Sequence, residues 1–183
     1  MTTDHIRFLW IFLCFLLSFW NGLPLAAALT LCADYFLLFT PHYAAGVVFF
    51  LLVQYTYIQA LRNRPLSLWG ILLSPFLMNL PLWLLGLLYG LLFLRHFSLA
   101  YKGIPPKQKE PPIPSGALSI TLLPQAADSC RRLYFLALIL FALCDITVAW
   151  GYLHRPLPNL IWLFYAPGQL LLALTAKGSL PRP

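Results

Sequence analysis

Two aspartates stand inside long apolar stretches of this chain, Asp34 in LTLCADYFLLFT and Asp145 in LFALCDITVAW. The Lys or Arg residues nearest to Asp34 in sequence are Arg7 and Arg62, so no local ion pair accounts for it. The remaining acids, Asp4, Glu110 and Asp128, fall in tails or connections. Two carboxyls sharing a low-dielectric site can divide acid–base work, because each makes ionisation of the other harder: one stays protonated as the other ionises. Asp34 and Asp145 are therefore the candidate residues for such chemistry.

Each aspartate is followed by a second polar face. Gly46, Phe50 and Gln54 are spaced i, i+4, i+8, and Tyr57 continues that stripe; Tyr165 and Gln169 are spaced i, i+4. Gln54, Tyr57, Tyr165 and Gln169 are the candidate substrate-binding residues. The plainer alternative is that they hydrogen-bond to the acids across helices and lock the bundle. His42 and His154 sit in the connections after the two acids, the normal place for interfacial residues. The order Asp, His, Gln occurs twice and hints at two helical hairpins related by an axis along the membrane normal. Two Asp with distant His lack metal-ligand spacing, and CxxC and HExxH are absent from the sequence, so neither a metal nor a cofactor is expected.

The surroundings of these residues follow from composition. Of 183 residues 61% are hydrophobic and 9% charged, and mean hydropathy is +0.79. A soluble domain carries about a quarter charged residues. The chain reads as a single integral membrane domain spanning 1–183. Seven apolar segments can be drawn, at 7–21, 23–40, 43–61, 66–80, 82–98, 132–150 and 157–175. As one helix, 66–98 would be about 50 Å long against a hydrocarbon core of about 30 Å, and Pro75 and Pro81 lie inside it, which favours two spans. The first segment has a barely positive leader, MTTDHIR, and no cleavage site ahead of the second stretch, so it reads as a retained helix. The six tryptophans read as lipid-facing or belt residues.

With seven spans, one face receives Arg62, Arg64, Arg95, Lys102, Lys107, Lys109, Arg131, Arg132, Lys177 and Arg182, and the other only Arg7 and Arg155. The positive-inside rule then places the N-terminus outside and the C-terminus inside. This rule accounts for the basic balance without nucleic acid, for which no basic helix or aromatic RNA motif argues. The 99–131 connection, containing GIPPKQKEPPIPSG, reads as a basic, Pro-rich cytoplasmic loop. In this topology both aspartates lie about 8–9 Å below the outer surface, on helices running the same way. Six spans would put them in opposite leaflets.

The stretch CADYFLLF…YAAGVVFFLLVQYTYIQA resembles the YhhN-like family of integral membrane proteins, which includes the lysoplasmalogenases. LFALCDITVAWGYL is similar to the family's later Ser-Asp helix and WLFYAPGQLLLALT to its last helix. The similarity covers about 29–61 and 133–175. Ala33 stands where Gly is usual, Cys144 where Ser is usual and Gln54 where His is typical. An early span of the family's usual eight also has no counterpart here. The resemblance implies a polytopic all-α bundle in a plasma membrane, of bacterial type, with Asp34 and Asp145 as a catalytic pair. The implied partner is a lysophospholipid substrate, a lysoplasmalogen cleaved at its alkenyl ether to a fatty aldehyde and a glycerophospho-base. The competing expectations are a small transporter in which the aspartates carry protons or cations, and an inactive relative that binds lipid.

Overall fold

Apolar stretches bounded by Pro and polar joints form helices because a backbone in hydrocarbon must satisfy its own hydrogen bonds. The structure, a computed structural model, describes residues 3–21, 23–62, 64, 74–102, 122–155 and 157–179. Among them are six long helices, α1 (Thr3–Asn21), α2 (Pro24–Phe39), α3 (Tyr43–Leu61), α4 (Leu82–Lys102), α5 (Leu122–Leu153) and α6 (Pro158–Ser179). A helical turn at 74–77 precedes α4, and no strand occurs among the described residues. Pro24 opens α2 at a position where its missing N–H costs nothing. At the other end, Thr40 closes the helix by donating from both its N–H and its Oγ1 to the Phe36 carbonyl, at 3.3 and 2.8 Å.

α1, α3, α4 and α5 are each long and apolar enough to cross a membrane, and α2 is a shorter apolar helix. Exposed leucines at i, i+4, i+7 on α4 (Leu87, Leu91, Leu94) turn outward, whereas Phe93, His96 and Ala100 are buried. Apolar side chains outside and polar ones inside is the pattern expected of a protein solvated by lipid.

The segment drawn at 66–80 lies largely outside the described residues. The 99–131 connection is shorter than its hydropathy suggests: α4 continues to Lys102 and α5 begins at Leu122, leaving 103–121 outside the described residues. A helix does not stop where its apolar residues stop, since its hydrogen-bond ladder continues as readily through Lys, Arg and Gln.

The six helices form a closed ring in chain order, with α6 packed on α1. Side-chain pairs fix the directions. α1 and α2 are antiparallel (Phe8 with Tyr35 and Phe39), as are α2 and α3 (Phe36 stacked on Phe49). α3 and α4 are parallel, because Phe50 meets Tyr89 and Tyr57 meets His96. α4 and α5 are antiparallel (Tyr89 with Asp145, His96 with Tyr134), and α5 and α6 form a hairpin. α6 then runs parallel to α1, with Arg7 over Trp162 and the Trp10 indole donating to the Ala166 carbonyl at 3.2 Å. α1–α3 and α4–α6 thus repeat one sequence of directions, with an aspartate on the middle helix of each triplet. These directions gather Arg62, Arg64, Arg95, Lys102, Arg131 and Arg132 at one end of the bundle and Arg7 and Arg155 at the other.

Close packing beside each acid depends on a glycine. A Cβ at Gly46 would lie 2.7 Å from Leu37 Cγ and 3.2 Å from the Ala33 carbonyl, next to Asp34; one at Gly168 would lie 3.2 Å from the Phe141 ring. Gly86 and Gly90 face open space. Gly46→Ala should therefore lower the melting temperature of the purified protein, through an overpacking cost of about 1–3 kcal/mol. Gly86→Ala should leave it unchanged or raise it. Equal behaviour of the two variants in a thermal melt would mean that α2 and α3 do not approach this closely.

Candidate functional site

Asp34 is buried in α2 and faces across the ring to α6, where the Tyr165 hydroxyl donates to its Oδ2. Gln169, one turn on, donates from Nε2 to the Tyr165 oxygen at 2.8 Å. The i, i+4 spacing read from sequence is thus a hydrogen-bonded pair in series with the acid. Asp145, partly buried in α5, accepts at Oδ2 from the Tyr89 hydroxyl of α4 at 3.0 Å. The Gln54 amide nitrogen reaches the same hydroxyl at 3.5 Å. Each aspartate therefore ends a chain of the form Gln–Tyr–Asp, and in both chains the donors are neutral.

The second chain continues. Gln54 Oε1 lies 2.6 Å from His96 Nδ1, and His96 Nε2 lies 2.6 Å from the Tyr134 hydroxyl. Tyr57 stacks on the His96 imidazole with centroids 5.1 Å apart and planes 12° from parallel. His96 is wholly inaccessible. Burying an imidazole is tolerable here because both ring nitrogens have partners and one face is covered by an aromatic ring.

The two chains border common ground. A void with about 20 Å³ of free space for the centre of a water molecule lies among Gln54, Tyr57, Tyr89, His96 and Gln169, walled by Phe50, Phe93, Phe141 and Leu172. That is room for about one water. A second void, smaller still, shares Thr30, Tyr57, Gln169 and Leu172 with it. The buried Cys144 stands next to Asp145 on α5.

Every residue singled out from sequence as a site candidate is in or beside this network. Asp34, Tyr165 and Gln169 form one chain, Asp145 and Gln54 belong to the other, and Tyr57 lines both voids. His42 and His154 are exposed, His154 against the Trp150 ring, and stand apart from it. Tyr89, His96 and Tyr134 were not expected. The first two are legible in retrospect as the polar members of an α4 stripe, Tyr89, Phe93, His96 at i, i+4, i+7. His96, from α4, binds the Gln54 side chain of α3. Among the described residues no three His, Cys, Asp or Glu side chains gather as metal ligands would.

Compared with known proteins, the chain matches no family model, no curated protein and no solved structure.

If the Tyr hydroxyls carry the acids as described, Tyr89→Phe should cost about 1–3 kcal/mol, the penalty for leaving buried partners unpaired. Tyr101→Phe, at an exposed position on the same helix, should stay within about 0.5 kcal/mol of the parent. Denaturant unfolding of the purified protein in micelles measures both. Indistinguishable midpoints would remove the Tyr89–Asp145 bond from the account.

Proposed function

We propose that the chain is a membrane-embedded hydrolase of the alkenyl ether of lysoplasmalogens. The observation that carries this reading is that Asp34 and Asp145 each end a Gln–Tyr chain, and that Gln54, Tyr89 and Gln169 of the two chains wall one water-sized void, although neither aspartate lines it. In the proposed reaction a protonated carboxyl gives its proton to the β-carbon of the vinyl ether, converting the C=C–O unit to an oxocarbenium ion. The other carboxylate stabilises that cation and takes a proton from the attacking water. The hemiacetal so formed collapses to a fatty aldehyde and the free glycerol hydroxyl, returning the pair to its starting charge. One water is consumed, and the void has room for about one. A transporter needs access to both faces, which a ring closed around a water-sized void favours less than a blind site.

The lipid chain reaches this site from the bilayer. The α4–α5 seam, where neighbouring helices of the ring touch least, is the proposed entrance, and the Tyr89–Asp145 and His96–Tyr134 bonds span it.

Seven passes would suit this reading. α3 and α4 are parallel, so Leu61 and Leu82 lie at opposite ends of the bundle, and Leu77 and Leu80 pack against the cluster of Val48, Leu51 and Leu85. α2 and α5 then run the same way, with the acids about 8 Å and 12 Å from the ends of their helices. With the basic end of the bundle inside, both acids face the outer leaflet.

Two outcomes check this. Asp34→Asn and Asp145→Asn should each lower aldehyde release from an alkenyl lysophospholipid by about 10²–10⁴-fold, the usual cost of losing a general acid or base, with the fold retained. Unimpaired release from either variant, or none from the parent protein, ends the hydrolase reading. In a cysteine-free background, an impermeant thiol reagent should label cysteine placed at Pro41 from outside and at Lys107 only after permeabilisation. The reverse pattern would invert the orientation.

A further inference from the structure

The two Gln–Tyr–Asp chains differ in how easily their hydrogen bonds can be reversed, and the difference separates the two acids. Among the described residues, the buried Tyr134 hydroxyl has His96 Nε2 as its hydrogen-bond partner and no other. A buried hydroxyl that only accepted would leave its hydrogen unpaired, so Tyr134 donates and Nε2 accepts. The neutral imidazole then carries its proton on Nδ1 and gives it to Gln54 Oε1. With its oxygen committed, the Gln54 amide directs its N–H to Tyr89, and Tyr89 directs its O–H to Asp145. Each step follows from the one before, and Asp145 stands at the end as an acceptor. Reversal would require a new His96 tautomer, a turned Gln54 amide and an orphaned Tyr134 hydrogen together.

The chain on Asp34 has no such lock. It ends at Gln169, which lines both voids. Turning that one amide lets its oxygen accept from Tyr165, whose own oxygen is then free to accept a proton from Asp34. We propose that His96 is a positioning residue which, through Gln54, fixes Tyr89 as the donor to Asp145 Oδ2, whereas the Asp34–Tyr165 bond is free to reverse. Its bearing on catalysis rests on the hydrolase reading; the order of hydrogen bonds does not. An amide can turn but cannot relay a proton, so His96 acts by orientation and donates nothing to the substrate.

The test uses the full chain in lipid nanodiscs. With ¹⁵N-labelled histidine, the His96 signal, assigned by its loss in His96→Phe, should show the proton on Nδ1; a proton on Nε2, or on both nitrogens, overturns the proposal. This measurement needs no variant to be active. In infrared difference spectra against the parent, Asp145→Asn identifies the Asp145 carboxyl band. His96→Phe keeps the ring stacked on Tyr57 and should shift that band; an unmoved band removes His96 from the chain and overturns the proposal. A protein with the proton on Nδ1 and the shifted band that releases no aldehyde keeps the hydrogen-bond order and loses the reaction.

Discussion

A carboxyl inside a bilayer must be given hydrogen-bond donors by another part of the chain, and here those donors are neutral. Placing an aspartate at the centre of a membrane helix costs about 2.5–3.5 kcal/mol on insertion scales and more on others. An ion pair of Arg7 with Asp4 lies near the start of α1 and helps neither acid. Tyr165 and Tyr89 meet the need instead, each from a different helix and each held by a glutamine. Because the Asp34 bond joins α2 to α6 and the Asp145 bond joins α5 to α4, the two together tie both triplets of the ring. Orphaning either acid would leave a buried polar group unsatisfied, so the bonds specify how the helices face one another as well as holding them.

Glycine and aromatic packing serve this constraint. Gly46 lets α3 approach α2 at the level of Asp34, and Gly168 lets α6 approach α5 beside Phe141, one turn from Cys144 and Asp145. In lipid, helices gain little from burying apolar surface against each other, so small residues that permit close contact and polar groups that cross it carry much of the specificity. The stacked Tyr57–His96 pair extends the same principle: a polar ring is made compatible with the interior by an aromatic face and two hydrogen bonds.

The two chains give the acids different surroundings. Both acids begin from the same side chain: Asp34 is deep and tied to a short chain that ends at a void, Asp145 partly exposed and tied to a long chain anchored at Tyr134.

Legible in the residues alone were a helical chain whose apolar runs suit a membrane, the two acids Asp34 and Asp145 that need an explanation, and the polar positions Gln54, Tyr57, Tyr165 and Gln169. Those readings rest on apolar run length, on the high cost of an intramembrane acid and on i, i+4 spacing, all local properties of a chain segment. The tertiary structure alone decided which helix answers which acid. Tyr165 lies on the helix after Asp145 yet binds Asp34, and Tyr89 and His96 come from a helix that carries no acid. Whether α3 and α4 run parallel was equally invisible, since hydropathy gives a span its length but not its direction. Closing the ring set both, because only one arrangement of directions brings the donors on α4 and α6 to the depth of the acids on α5 and α2.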